Sequence, residues 1–270
     1  MVNRFVRNLL LLIIIPFSSL FSASVTDMIV VDQIGYRTTA EKYFMIKDPI
    51  TGYDSAITYV PGASVQLRRT SDNAVMQTIN LTAWNSGATD TTFSGDRVWQ
   101  GNFTSFTTPG IYHIYDPTNN TVSYNFEIGD SVYNAALAAS VKSYFYNRSN
   151  INITATHGGT WTHALDHTQQ LTARLYDASL GGDQGAGTAR DITLGWFDAG
   201  DYRKYTSWMA PVIWDLAYAY EWYPTRFPDN TGIPESGNGV PDILDEIKYE
   251  LDWMLKMQET NSASPRFGAL

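Results

Sequence analysis

The hydrophobic period changes partway along this chain, and that change rules out one uniform core. Between Met28 and Ile128 apolar residues come in short runs rich in Val, Ile, Tyr and Thr: "MIVVDQIGY", "KYFMI", "SVQLRRT", "AVMQTINL", "RVWQGNF", "IYHIYDP" and "TVSYNFEI". Gly, Pro, Asn and Asp turns separate them, a spacing that predicts an all-β sandwich of about a hundred residues. After Asp130 the period becomes helical. "DSVYNAALAASVKSYFYNRS" repeats apolar residues at Tyr133, Leu137, Val141, Tyr144 and Phe145 behind an Asp cap. The junction near Gly129 and Asp130 is therefore the expected boundary between a sandwich over 25–129 and an all-α part over 130–270. Strand and helix do not alternate, which disfavours a doubly wound sheet.

Two further helices are predicted, one ending before Pro224 and one beginning near Pro241. In "PDILDEIKYELDWMLKMQ", Ile243, Leu244, Ile247, Leu251, Met254 and Leu255 share one stripe, acids fill the first turn, and Asp252 precedes Lys256 by four residues. Pro211 either starts or kinks the helix before it.

The first residues, "MVNRFVRNLLLLIIIPFSSLFSASV", place Arg4 and Arg7 before an apolar run from Leu9 to Phe17, then small residues at Ser22, Ala23 and Ser24. That run is too short to span a bilayer and has the three-part layout of a secretory signal over 1–24. A mature chain beginning near Val25, secreted to the periplasm or outside the cell, is expected, with an uncleaved anchor as the alternative. The chain has no cysteine, so neither disulfides nor thiolate metal sites contribute. A net charge of -9 repels phosphate backbones and argues against nucleic acid as a partner.

The segment "GWFDAGDYRKYT", Gly195 to Thr206, sets Asp198 and Asp201 three residues apart beside aromatic rings. Paired aspartates alone are weak signals, since turns and helix caps use them routinely. Gly200 between them permits a tight turn, and a helix starting just after would help keep both carboxylates ionised. Activation of a water molecule needs an ionised base with a partner to orient the water.

This segment resembles the signature of glycoside hydrolase family 9, the inverting endoglucanases. "IPESGNGVPDILDEIKYELDWMLKMQ" resembles a second stretch of the same family, and "VVDQIGY" resembles the immunoglobulin-like domain that precedes the catalytic domain in one branch. Three separated motifs agree in order, over essentially all of the chain after the leader. The resemblance implies a multidomain fold: an all-β immunoglobulin-like sandwich followed by part of an all-α (α/α)6 barrel of six helical hairpins. It implies Asp201 as the catalytic base and Asp198 as the residue that helps hold the water. Inversion places the general acid across the scissile bond, about 6.5–9.5 Å from the base, which two acids in one turn fit less well than a shared water clamp. The family's proton donor is a glutamate near the end of its catalytic domain. The 270 residues are thus expected to be the front part of a longer product, inactive alone.

The chemistry implied needs no cofactor. Relatives with the leading sandwich often hold structural zinc through two cysteines and two histidines. Here Ser149, Asp166 and Phe197 stand where three of those ligands would be, leaving His167. His163 and His167 keep a ligand-like spacing of four that makes zinc conceivable, but His157, His163 and His167 read as surface or core histidines because a structural site needs four ligands. Family members often bind calcium, and Glu235, Asn238 and Asp242 offer oxygen ligands, although a turn and helix cap uses the same residues. "GGDQGAGTARD" lacks the Lys-Ser/Thr ending of a phosphate loop and reads as a flexible connection. Trp208 and Trp214 read as core, whereas Trp196, Phe197, Tyr202 and Tyr205 flank the acids closely enough for some to line a sugar subsite.

The expected partner is cellulose or another β-glucan, with no membrane contact after signal cleavage. Two rivals stay open: an exo-acting relative such as a cellobiohydrolase, glucosidase or glucosaminidase, and a non-catalytic glycan-binding protein.

Overall fold

The computed structural model describes residues 23–270. The secretory leader expected over 1–24 therefore lies, but for Ala23 and Ser24, outside the described residues. Two compact units meet between Val132 and Tyr133. That is slightly past the Gly129–Asp130 junction suggested by texture, because Gly129 N–H donates to Tyr36 O and the Asp130 carboxylate accepts from Thr38 N–H and Oγ1, holding both residues to the sandwich. The following helix starts at Asn134, with Tyr133 at its N-cap position.

In the first unit the strands are β1 (Ser24–Val25), β2 (Ile29–Val30), β3 (Tyr43–Pro49), β4 (Ser64–Arg69), β5 (Val75–Ala83), β6 (Asp96–Asn102), β7 (Gly110–Asp116), β8 (Thr121–Val122) and β9 (Phe126–Ile128). They run in the order β1-β8-β7-β4-β5-β6-β3-β2, with β9 also on β7. β5 belongs to two layers. Its Val75–Asn80 part pairs with β4, and its Leu81–Ala83 part pairs with β6. Alternation along the strands sends Phe44, Ile46, Val65, Leu67, Tyr112 and Ile114 into a single core. Tyr36, Phe103 and Phe126 close it in edge-on and tilted pairs with ring centres 5.0–5.7 Å apart.

The second unit holds three long helices, α1 (Asn134–Tyr146), α3 (Thr206–Trp222) and α4 (Asp242–Met257), with the single turn α2 (Ala155–Gly158) between the first two. α4 packs on both α1 and α3. One cluster joins Trp196, Met209, Trp253 and Met254, and another joins Val141, Ile243 and Ile247. α3 runs through Pro211 rather than starting there. The glycine-rich stretch is not merely a connection: Gly182–Asp183 forms β11, which pairs with β10 (Tyr176–Asp177) in a small hairpin. No described helix is long and apolar enough to cross a membrane.

The inward face of α4 differs from the stripe expected. Ile243, Ile247 and Met254 are buried, but so are Asp242, Glu246 and Glu250, while Leu251 and Leu255 are exposed. The expected Asp252–Lys256 pair is also replaced. Asp252 pairs with Lys248, and Lys256 reaches Asp191 and Thr193 outside the helix. Trp208 and Trp214, read as core, stand exposed on α3, Trp208 against Tyr205 and Trp214 stacked on Tyr218.

Gly101 of β6 faces Phe44 of β3, and a Cβ there would lie 2.0 Å from Phe44 Cζ. Gly101→Ala is expected to overpack the sandwich and destabilise it by about 1–3 kcal/mol, read as a lower denaturant midpoint at unchanged slope.

Candidate active site

The segment that carries the two aspartates is fixed before it reaches them. Ser149 N–H donates to Gly195 O at 2.8 Å and Phe197 N–H to Asn147 O at 2.8 Å, so the chain leaving α1 and the chain entering the turn form a short antiparallel bridge. Gly195 has φ +73°, and a Cβ on it would lie 2.5 Å from Trp253 Cγ, so only glycine fits.

Next to it Trp196 is buried and donates twice into α4: its backbone N–H to Glu250 Oε2 at 2.7 Å, its indole Nε1–H to Glu246 Oε2 at 3.2 Å. Arg148 completes the anchor. Its Nη1 and Nη2 donate to the two oxygens of Glu235 at 2.9 and 3.0 Å, its Nε donates to Glu246 Oε2 at 3.2 Å, and its plane lies 4.1 Å from the centre of the Tyr249 ring. Burial drives the Glu246 carboxyl up against the pull of Arg148. Glu250 has no guanidinium partner, and its Oε1 has no hydrogen-bond partner among the described residues. Burial pushes it up to about 7, opposed by the Trp196 N–H and the charge of Lys204.

Beyond this anchor the chain surfaces. Asp198 and Asp201 are both exposed. Asp198 N–H donates to Arg203 O at 2.7 Å and Tyr202 N–H to Ala199 O at 3.0 Å, which closes the turn at its neck. The left-handed residue is Tyr202, φ +59°, not Gly200. Asp201 is oriented by Arg203, whose Nε lies 3.2 Å from Oδ2 and whose Nη1 donates to Tyr205 Oη at 3.0 Å. α3 begins only at Thr206 and has no acid in its first turn, so both aspartates lie outside the turn over which its dipole acts.

Of the four flanking aromatics, Trp196 and Phe197 are buried, Phe197 in the wall of a cavity of about 380 Å³ that it shares with His167 and Tyr202. Tyr202 is exposed and lies with Tyr205 along a cleft of about 880 Å³ that also takes in Tyr176 and Lys204. Residues that sequence reasoning passes over, Arg148, Lys204, Glu246 and Glu250, hold the turn in place. Their one signal is the acidic row Asp242, Glu246, Glu250 at helical spacing beside an apolar row.

The zinc position does not fit a metal. Ser149 Oγ donates to Gln170 Oε1, the Asp166 carboxylate accepts from Asn150 N–H and lies 3.2 Å from His167 Nδ1 without a hydrogen bond to it, and the His167 ring lies 4.8 Å from Phe197 and 4.6 Å from Tyr202. His157 Nδ1 and His163 Nδ1 each face a backbone carbonyl. The oxygen set for calcium is regrouped. Glu235 is committed to Arg148 and Asn238 Nδ2 donates to Asp245, while Asp229, Asp242 and Asp245 bring carboxylate oxygens within 4.8 Å of one another. Asp242 is fully buried. Its Oδ2 accepts from Thr231 and Ser236, and its Oδ1 has no hydrogen-bond partner among the described residues, a buried oxygen of the kind a hard cation takes as ligand.

The profile of glycosyl hydrolase family 9 matches residues 133–267, the helical unit together with the aspartate turn and its anchor. The chain belongs to glycosyl hydrolase family 9. A cellulase N-terminal immunoglobulin-like domain matches residues 24–120, in the sandwich. The family 9 chain is 35% identical over 158 residues to a xyloglucan-specific endo-β-1,4-glucanase of Bacteroides ovatus, covering 58% of this chain and 26% of that protein. It is 34% identical over 165 residues to endoglucanase D of Acetivibrio thermocellus, covering 60% and 25%. A metagenome-derived family 9 endoglucanase of known structure superposes with a TM-score of 0.67 at 34% identity, over 86% of this chain and 40% of that one. The family 9 chain thus spans about a quarter of the length of the curated relatives it matches.

Glu250 ties the anchor to pH. A glutamate that ionises at 4.5 when unfolded and at about 7 when folded gives stability that is complete below the lower value and lost as pH rises through the upper one. Thermal unfolding followed by tryptophan fluorescence is expected to show the helical unit losing up to about 3 kcal/mol between pH 4.5 and 7.5 from this group. Glu250→Gln should flatten that share of the profile, and an unchanged slope would contradict the assignment.

Proposed function

We propose that the protein hydrolyses β-1,4-glucosidic bonds in cellulose or a related β-glucan, with inversion, in the manner of an endoglucanase. The observation that carries this reading is the turn itself: two carboxylates exposed at the tip of a segment whose entry is locked by Trp196 and whose neck is closed by Asp198 N–H and Arg203 O. Asp201 acts as general base and removes a proton from the attacking water. Asp198 accepts the second hydrogen bond of that water and aims its lone pair at the anomeric carbon. The bond to the leaving sugar breaks as the water oxygen bonds on the opposite face, and the leaving oxygen takes its proton from a general acid about 6.5–9.5 Å away. Tyr202 and Tyr205, along the adjoining cleft, offer ring faces to the sugars. The names of the two curated relatives, both endoglucanases, support the substrate class.

In this reading α1, α3 and α4 are opening helices of an (α/α)6 barrel, and the basic and apolar leader directs the protein out of the cell. Asp229, Asp242 and Asp245 hold a structural calcium ion that ties the α4 N-terminus to the loop before it, with no part in the chemistry.

The test is reducing-sugar release from carboxymethylcellulose and xyloglucan by the full-length product of the parent gene. Asp201→Asn is expected to lower turnover by about 10²–10⁴-fold with the fold intact, and Asp198→Asn by less. Near-normal release by the Asp201 variant would sink the assignment, and the size distribution of products separates endo from exo action. For the metal, excess calcium is expected to raise the melting temperature and a chelator to lower it, a difference that should vanish in Asp242→Asn.

A further inference from the structure

Lys204 follows Asp201 by three residues, and its ammonium touches both limbs of the turn. Nζ lies 2.5 Å from Ile192 O and 2.9 Å from Leu194 O on the incoming limb. It also lies 2.7 Å from Gln170 Oε1 and 3.4 Å from Ser149 Oγ, and it sits 5.2 Å from the centre of the Trp253 ring. Four oxygens from three separate stretches of chain thus surround one cation.

All four are neutral. Lys204 makes no ion pair among the described residues, and burial lowers it to about 8. Removing an ammonium from water without a directly paired carboxylate is costly, and Glu250 and Asp191 offset that cost only in part, from beyond ion-pair distance. An ammonium donates three hydrogen bonds and accepts none, so it draws carbonyls together that would otherwise repel. Asp198 and Asp201 lie on the loop that this contact closes, between Leu194 and Lys204. Among the described residues the turn between them is fixed by the Asp198–Arg203 and Ala199–Tyr202 backbone bonds and by Arg203 N–H on Asp201 Oδ1 at 3.4 Å.

We propose that Lys204 is a positioning residue for hydrolysis: its ammonium staples the chain after Asp201 to Ile192 and Leu194 and thereby sets the aim of both acids. This rests on the roles given above to Asp201 and Asp198. The staple lies beside the Tyr202 and Tyr205 cleft, so a small cation added from solution has a route to it.

The experiment uses the full-length enzyme with Lys204→Ala and Lys204→Gln. In a folded variant kcat is expected to fall by about 10- to 100-fold while KM stays within about twofold, the pattern of misaimed catalytic groups and not of lost substrate binding. Propylammonium is expected to restore part of the loss in Lys204→Ala, and propanol, of the same shape without charge, is not. Should Lys204→Ala fail to fold, Lys204→Gln is read by the same split. A kcat within about twofold of wild type in a folded variant, or equal relief by propanol, overturns the proposal. If the wild-type enzyme hydrolyses no glucan, the functional reading fails, and crystal structures of wild type and Lys204→Gln decide on the staple alone. A displacement of about 1 Å or more at Asp198 and Asp201 supports it, and superimposable turns overturn it.

Discussion

Arg148 lies in the interior of the helical unit between Glu235 and Glu246, and the placement of the aspartate turn follows from that contact. A guanidinium presents five N–H groups in a fixed plane, so it grips Glu235 with two of them and Glu246 with a third while its face rests on Tyr249. The two glutamates come from different places, one from the loop before α4 and one from within it. Arg148 itself belongs to the strip that bridges to Trp196. One cation therefore joins the end of α1, the start of α4 and the chain that enters the turn. Breaking such a buried pair by removing one partner typically costs about 3–5 kcal/mol, since the remaining charge stays stranded away from water.

Three buried carboxylates on one face of α4 are an expensive choice for a helix that an apolar row would have packed more cheaply. What they provide is direction. Glu250 accepts the Trp196 backbone N–H and Glu246 its indole N–H, so backbone and ring are both specified and the residue has one orientation. An apolar contact would hold Trp196 near α4 without saying which way the chain must leave. Two residues later that chain carries Asp198. Exposure of the acids and burial of their anchor are two sides of the same arrangement.

Much of this is legible from residue order. The strands of the first unit follow the period-two runs, and the helices of the second follow their 3.6-residue stripes, because burial of one apolar face drives the formation of both. The failures have a common cause in how charge and aromaticity are weighed. Periodicity treats a charged residue as solvent-facing, so it turns Leu251 and Leu255 inward and the glutamates outward; Arg148 on Glu246 and Trp196 on Glu246 and Glu250, all far away in sequence, give the buried carboxyls their partners. Helical spacing of rings puts Trp208 and Trp214 in the core, yet they stand exposed, while Trp196 and Phe197 beside the acids are buried. The Asp198–Asp201 pair is visible as a motif, but the devices around it, Tyr202 in a left-handed conformation and Lys204 among four oxygens, depend on contacts between segments that no local pattern encodes.

In the sandwich, β5 is shared by the two layers, and this has a bearing on how the domain comes apart. A layer that owned all of its strands could detach and survive briefly with its neighbour lost, leaving a bare edge of N–H and C=O groups on which another chain could add itself. Here the residues that pair with β4 run straight on into those that pair with β6. Freeing either layer pulls the shared strand out of register in the other, so openings tend to be either very local or complete. For a protein read as working outside the cell, where chaperones that rescue half-open intermediates are scarce, an all-or-none domain is protection against aggregation that does not depend on cysteine.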